Sequence, residues 1–316
     1  MKLSIVIPVY NEEENLEPLH DELVAVAGRM PEHTWEYIFV DDGSKDRSLE
    51  VLKKIQAKDE RMVVISFARN FGQTAAMSCG IKTATGDIII PMDADRQNDP
   101  SDIPDFLDKI NQGYGCVSGW RKDRKDGLFF RKIPSWMANR LISWATGVHI
   151  HDYGCSLKAY RREIIQDIDL YGEMHRFIPV YAAGVGAKVT EIVVHHRPRV
   201  AGVSKYGLFR VFKVLLALVV VRFLTTYFSR PMHFFGVIGF ASLAGGLFAE
   251  GVAILLKIVH LRDFVSTPLP VVGAMLIIVG VQFILFGLMA EVLMRTYFEA
   301  QRRKPYSVKE MISTTK

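Results

Sequence analysis

Ile88-Ile89-Ile90-Pro91-Met92-Asp93-Ala94-Asp95 decides how the chain is read. An apolar run followed at once by two acids describes a buried strand that ends in carboxylates. Ionised carboxylates in such a place need partners, and none lies beside them in sequence. A divalent cation carrying a diphosphate satisfies both. Hard cations such as Mg2+ take one or two carboxylates together with substrate phosphate oxygens. Gln97 adds a neutral oxygen at the same alternate spacing. A polar turn after a strand is the other reading of these acids, and the surrounding sequence decides between the two.

Upstream, the same pattern occurs three more times. Leu3 to Val9 reads as a buried strand followed by Tyr10-Asn11-Glu12. Trp35 to Val40 reads as a second, followed by Asp41-Asp42-Gly43-Ser44, and Met62 to Phe67 as a third, followed by Arg69-Asn70-Phe71-Gly72. Helical stretches separate them. One opens at Asn11 with Glu14 three residues on, a capping-box pattern. Another begins near Ser44, and a third covers Gln73 to Ala84. This alternation predicts an α/β fold, a mostly parallel sheet with helices on both faces. Ligands of such sheets bind beyond the carboxyl ends of the strands, where all four polar clusters lie. No G-x-G-x-x-G or P-loop glycine pattern follows any strand, which argues against a dinucleotide redox cofactor or a P-loop ATPase. A nucleotide remains compatible, with Asp41 and Asp42 placed to accept from a base or a ribose hydroxyl. A turn feeding a helix cap is the alternative for that pair.

The back of the chain changes the class of protein. Pro231 to Val259 carries only Glu250 and Lys257 as charges, and Leu269 to Leu293 is apolar up to Glu291. Each is long enough to span a bilayer's hydrocarbon core. A short link, His260 to Pro268, makes them a hairpin. Arg222, Arg230, Arg295, Arg302, Arg303 and Lys304 outnumber the cations near the link, Arg262 and Lys257. That asymmetry predicts an inner (plasma) membrane protein with its N-terminal domain and C-terminal tail in the cytoplasm. The net charge of +5 gathers largely at the span borders, suiting anionic lipid rather than nucleic acid, for which no motif is present. Cys79, Cys116 and Cys155 are odd in number and far apart, as reduced packing thiols are. The N-terminus goes straight into a strand, with no signal-peptide pattern. After Pro134, Trp136, Met137, Leu141, Ile142 and Trp144 recur at helical spacing among Arg131, Lys132 and Arg140, an amphipathic helix suited to the headgroup layer; a core helix is the alternative. Leu208 to Phe228 is apolar but carries Arg210, Lys213 and Arg222, which favours an in-plane helix over a third span. The expected organisation is a catalytic domain over 1–207, an in-plane helix over 208–230, two spans within 231–294 (about 231–259 and 269–294) and a tail over 295–316.

These residues carry a resemblance. Pro8-Val9-Tyr10-Asn11-Glu12, Val40-Asp41-Asp42-Gly43-Ser44, Asn70-Phe71-Gly72-Gln73 and Asp93-x-Asp95-x-Gln97 resemble the family 2 glycosyltransferases of GT-A, Rossmann-like fold. The segments Asp152 to Tyr160, His175 to Pro179 and Gly202 to Tyr206, with the two spans, resemble the polyprenyl-phosphate members. Those include dolichyl-phosphate mannose synthases, bactoprenol glucosyltransferases and undecaprenyl-phosphate aminoarabinose-type transferases. The resemblance implies transfer of a sugar, with inversion, from a nucleotide sugar (most often UDP-linked) to a membrane polyprenyl phosphate. It implies that Pro8, Tyr10, Glu12, Asp41, Asp42 and Arg69 hold the nucleotide sugar together with Asp93. Asp93, Asp95 and Gln97 correspond to the Mg2+ or Mn2+ site. Arg121, Arg131, Ser135, Arg199, Ser204 and Lys205 correspond to groups that receive the lipid phosphate. Asp152 falls where related enzymes put a catalytic carboxylate, here either a base, an orienting group or a plain turn acid.

One departure stands out. The family often has Leu between the second Asp and the Gln, and a proline pair after it, where this chain has Arg96 and Asn98-Asp99-Pro100. Strand-like alternation is expected to turn Arg96 away from Asp95 and Gln97. His195 and His196, adjacent on a strand, face opposite sides and do not share a metal. His149 and His151 read as a polar loop. Glu250 within a span is expected to face protein, hinting at helix packing or a homo-oligomer. A processive polysaccharide synthase would bring a Gln-x-x-Arg-Trp segment and more spans, and a non-catalytic nucleotide-sugar sensor would lose phosphate or metal ligands. Neither pattern is present.

Overall fold

The computed structural model describes residues 1–122, 140, 142–143, 146–166, 168, 170, 174–197, 223 and 231–301. The chain divides into two compact units, 1–221 and 222–316. The first alternates β1 (Lys2–Val9), α1 (Leu16–Gly28), β2 (Thr34–Asp41), α2 (Ser48–Gln56), β3 (Met62–Ser66), α3 (Gln73–Thr83) and β4 (Ile88–Pro91). Then come α4 (Ile103–Asn111), β5 (Cys116–Trp120), β6 (Lys158–Arg161), α5 (Arg162–Ile165), α6 (Ile178–Gly184) and β7 (Val189–Val193). The sheet order is β3-β2-β1-β4-β6-β5-β7. Among these pairs only β6 runs antiparallel to its neighbours, β4 and β5.

The central strands are mostly apolar because both faces are covered, and the polar Ser4 and Glu36 near their amino ends bond to each other. Leu3, Ile5 and Ile7 of β1 pack with Leu16, Leu19 and Leu23 of α1, Leu52 of α2 and Phe106 of α4. Val6, one residue out of phase, packs on the other face with Ile38, Val40 and Ala76, Met77 and Ile81 of α3. The period of two divides one apolar strand between two cores.

Two helix starts differ from expectation. α1 begins at Leu16, with Asn15 as its N-cap residue, and α2 at Ser48. Asn11 does not cap: it has φ +54, and its side-chain oxygen accepts from the Lys45 amide at 2.8 Å. The Ser44 and Ser48 hydroxyls accept from the Asn11 and Glu12 amides at 3.0 and 2.9 Å. These residues stitch the loop after β1 to the loop after β2.

Beside this frame, Asp59 locks the approach to β3. Arg61 grips its carboxylate with Nε and Nη2, both at 2.8 Å, and His20 of α1 lies 3.0 Å away. The Arg61 hydrogen bonds hold the Asp59 carboxyl down from 3.8 to about 2, against the opposing effect of burial. A depressed carboxyl stabilises the fold above its unfolded value and loses that contribution as pH falls from about 4 through about 2. Arg61 is solvated, which screens the pair, so Asp59→Asn should cost about 1 kcal/mol at neutral pH. Urea unfolding of the full chain in detergent should give a gap between variant and wild type that closes over that acid window.

The second unit contains α7 (Pro231–Ile258) and α8 (Leu269–Gln301). Both are long and apolar enough to cross a membrane, and only 22% and 17% of their most apolar windows are buried, unlike the core helix of a water-soluble domain. Small residues recur every seven positions, at Gly239, Gly246 and Ala253 on α7 and Gly273, Gly280 and Gly287 on α8. A Cβ at Gly239 would lie 2.9 Å from the Gly280 carbonyl oxygen, and one at Gly246 2.8 Å from that of Gly273. Close backbone approach at small residues is how helices pack where lipid removes the hydrophobic drive. Glu250 faces this seam: a Cβ at Gly273 would meet its Oε1 at 2.7 Å. Packing inside the hairpin therefore accounts for the acid without a second copy.

Candidate active site at the carboxyl edge of the sheet

The strand register brings the polar clusters level. Val9 pairs with Asp41, and Asp41 with Ser66, so the loops after β1, β2 and β3 leave the sheet together. Asp41 and Asp42 are almost wholly buried. The Asp41 carboxylate accepts from the Ser44 amide at 3.2 Å and the Ser66 hydroxyl at 3.0 Å. Asp42 organises the next loop, accepting from the Phe71 and Gly72 amides at 2.7 and 2.9 Å and from Asn70 Nδ2 at 2.9 Å. Gly43, at φ +68, lets the two loops touch: a Cβ there would sit 2.5 Å from the Arg69 carbonyl carbon. The Arg69 guanidinium stacks 4.5 Å from the centre of the exposed Phe71 ring. Glu12 accepts from Asn15 at 2.7 Å, while Pro8, on β1 opposite Val40, and Tyr10 are half-buried at the same edge.

At the end of β4, Asp93 is held at both oxygens. Gln73 Nε2, from the first turn of α3, donates to Oδ1 at 2.7 Å, and the Ser156 hydroxyl donates to Oδ2 at 2.7 Å. Asn98 in turn donates to Ser156 Oγ at 2.7 Å. Burial and the neighbouring Asp95 charge push the Asp93 carboxyl above its ordinary value, partly offset by the Ser156 bond and by Arg121 and Lys158. Asp95 accepts from the Gln97 amide at 3.2 Å. Arg96 does point away from the acids, though for a different reason than strand alternation. It sits in a turn at φ +57, and its guanidinium pairs with Glu22 of α1.

The third component is a buried ion pair. Arg121, at the end of β5, donates to Asp152 through Nε at 2.7 Å and Nη2 at 3.1 Å. The Gly154 amide adds a third bond at 3.0 Å. Burial works against the Arg121 charge, but Asp152 outweighs it and the guanidinium is held above its ordinary range. Behind the pair, Lys158 is buried, with Nζ on the carbonyl oxygens of Tyr153 (3.4 Å) and Cys155. Burial lowers its pKa.

Arg121 thus meets Asp152 and lies in the field of Asp93, in the carboxylate cluster. Arg131, Ser135, Arg199, Ser204 and Lys205, and most of both amphipathic helices, lie outside the described residues. Gln73, Asn98, Ser156 and Lys158 were not singled out by sequence, although Gln73, Ser156 and Lys158 stand inside the motifs quoted. Gln73 follows Gly72 directly and Asn98 follows Gln97, whereas Ser156 and Lys158 stand two and four residues past Gly154. His195 and His196 lie beyond β7, which ends at Val193, so strand alternation is not what separates them. His195 pairs with Asp102 at 2.6 Å, His196 forms an isolated antiparallel bridge with Asn98, and His151 pairs with Glu191 while stacking on Trp120 at 4.3 Å.

Among the described residues no three His, Cys, Asp or Glu side chains converge on a metal position. Two carboxylates fit a cation that takes its remaining oxygens from a diphosphate and water. The mutual repulsion that raises Asp93 is what such a cation would relieve.

Paired acids and hydrogen-bonded loops thus meet at the carboxyl edge of a mostly parallel sheet, where α/β folds bind their ligands. The chain belongs to glycosyl transferase family 2, whose model matches residues 4–169. It is 45% identical over 98% of its length to a dodecaprenyl-phosphate galacturonate synthase of Rhizobium johnstonii, covering 93% of that protein. It is 36% identical to an undecaprenyl-phosphate 4-deoxy-4-formamido-L-arabinose transferase of Yersinia pestis, covering 98% of this chain and 94% of that one. In fold it is similar to the mannosyl-3-phosphoglycerate synthase of Rubrobacter xylanophilus, with TM-score 0.53 at 16% identity over 71% of this chain and 74% of that one. A glucosyl-3-phosphoglycerate synthase of Mycobacterium tuberculosis, solved with Mn2+, UDP and glucosyl-3-phosphoglycerate, gives 0.51 at 16% identity over 71% and 79%.

Proposed function

We propose that this glycosyltransferase moves a sugar from a nucleotide sugar, UDP-linked, to the phosphate of a membrane polyprenyl phosphate, with inversion at the anomeric carbon. The observation that carries the reading is the union, in one chain, of a carboxylate site at the sheet edge and an apolar hairpin. The chain shares that whole length with relatives named for polyprenyl-phosphate sugars.

Asp41, Asp42, Pro8, Tyr10, Glu12 and Arg69 form the nucleotide side, with Asp42 and Gly43 fixing the shape of the loop that carries Arg69. Asp93 and Asp95, with Gln97, are the residues that would hold Mg2+ or Mn2+, whose chemistry there is Lewis-acid stabilisation of the departing diphosphate. The acceptor phosphate is largely dianionic near neutral pH and needs no strong base. Asp152, already gripped by Arg121, accordingly acts as an orienting group. Arg131, Ser135, Arg199, Ser204 and Lys205 receive the lipid phosphate by charge-assisted hydrogen bonds. Membranes holding the protein, given undecaprenyl phosphate and a panel of radiolabelled UDP-sugars that includes UDP-galacturonate and a UDP-4-amino-arabinose derivative, should put label into a lipid. Absence of labelled lipid with every donor would overturn the reading.

The donor is cytoplasmic in this reading, so both flanks of the hairpin face the cytoplasm of an inner membrane. A Cys introduced at Ser266, in the link, should react with an impermeant maleimide applied to spheroplasts, and one at Ser307 should not. The reverse pattern would invert the topology.

A further inference from the structure

We propose that Glu22 of α1 is a positioning residue that keeps Arg96 off the paired carboxylates. Arg96 is the one cation placed directly between Asp95 and Gln97 in sequence. Turned inward, it would occupy the charge that a divalent ion would otherwise satisfy. Its backbone takes the left-handed conformation, φ +57, which a non-glycine residue adopts at a cost unless its surroundings impose it. The turn's backbone is tied by the Asp95 and Arg197 bonds at Gln97, and Glu22 holds the side chain that this conformation turns outward. Oε1 accepts from Arg96 Nε at 3.2 Å and Nη2 at 2.5 Å, with both side chains 23% exposed. Oε2 accepts from Arg197 Nη1 at 2.9 Å. Arg197 is fixed from its other side by Asp99, at 2.6 and 3.1 Å, and its own amide donates to the Gln97 carbonyl at 2.9 Å. Two cations and two anions thus close a neutral ring around the back of the 95–99 turn. In that ring Glu22 is the acid that Arg96 holds. Its loss leaves Arg197 with Asp99 and leaves Arg96 as the uncompensated charge nearest the acids.

The inference rests on the metal reading proposed above, and the test separates the two. Mn2+ binding to the full chain in detergent, with saturating UDP, is followed by the loss of the free-ion electron paramagnetic resonance signal. A monocation brought within about 6 Å of a dication weakens binding on the order of tenfold even at the dielectric of water. Glu22→Ala should therefore raise the Mn2+ Kd about tenfold. Arg96→Leu, made in the Glu22→Ala background, should bring it back to within about twofold of wild type, because the competing charge is gone. Glu22→Gln, which keeps the shape of the side chain, carries the same comparison if the alanine variant fails to fold. Wild-type affinity in the Glu22 variant overturns the inference. So does a double variant that stays as weak as the single one, since that marks Glu22 as a structural support of α1. No Mn2+ binding by the wild type with UDP removes the metal reading itself, and this inference with it.

Discussion

Asp95→Asn should abolish sugar transfer while leaving the protein folded and in the membrane. The asparagine keeps an oxygen where Asp95 accepts from the Gln97 amide, so the turn that follows is preserved. What it removes is one of two adjacent negative charges. Burial and the Asp95 charge together hold Asp93 above the ordinary carboxyl range, so deleting that charge relieves repulsion. The melting temperature should accordingly be no lower than that of wild type. Activity should move the other way. The loss of Lewis-acid stabilisation of a departing diphosphate amounts to several kcal/mol, on the order of a thousandfold in rate. Transfer of radiolabelled sugar to polyprenyl phosphate, measured beside a thermal melt, reads both. A variant that is active, or a wild type that is fully active in excess chelator, would remove Asp93 and Asp95 from the metal role.

Much of the frame was legible in the sequence because burial on both faces forces it. β1, β2 and β4 are apolar runs on both phases apart from Lys2, Ser4, Thr34 and Glu36 near the amino ends, as strands covered on both sides are. The acids that follow each run were legible because nothing local satisfies them. What the acids do was less legible, because their partners are distant in sequence. Asn11 and Glu14 carry the local pattern of a helix cap, yet Asn11 serves the amide of Lys45 and the helix waits until Leu16. Asp42 reads as a ligand for a nucleotide, and its oxygens also order the amides of residues 71 and 72, a role that no local pattern shows. Arg96 needed a partner on α1, 74 residues earlier, that no local rule supplies. The hairpin shows the opposite lesson. Its seven-residue glycine spacing was present in the sequence, and of the two expectations drawn from Glu250, helix packing and an oligomer, the contact with Gly273 matches helix packing.

Arg121→Ala should be among the most destabilising single changes in the catalytic unit, and a second substitution should partly repair it. Side-chain exposure is 15% for Arg121 and 5% for Asp152, so the pair is buried rather than a surface bridge. A bidentate guanidinium satisfies both carboxylate oxygens, and the Gly154 amide adds to one of them. Removing one partner of a buried pair leaves the other as an uncompensated charge and costs about 3–5 kcal/mol. For a unit of this size each kcal/mol moves the melting temperature by about 2–4 °C, so a fall of roughly 6–20 °C is expected. Lys158 offsets only part of the loss: its ammonium attracts Asp152, but it is held on the carbonyl oxygens of Tyr153 and Cys155. Asp152→Asn added to Arg121→Ala removes the charge that lost its guanidinium while the amide oxygen still accepts from Gly154. The double variant should therefore melt above the Arg121→Ala single, even though it has lost more of the native pair. Transfer activity should not recover with it, because Asp152, the proposed orienting group, has lost its charge. Melting curves for the four members of this cycle, taken in the same detergent, measure the coupling directly. An Arg121→Ala variant within about 2 °C of wild type would mean that the pair is solvated in the working protein, and Arg121 would then be free to meet the lipid phosphate itself.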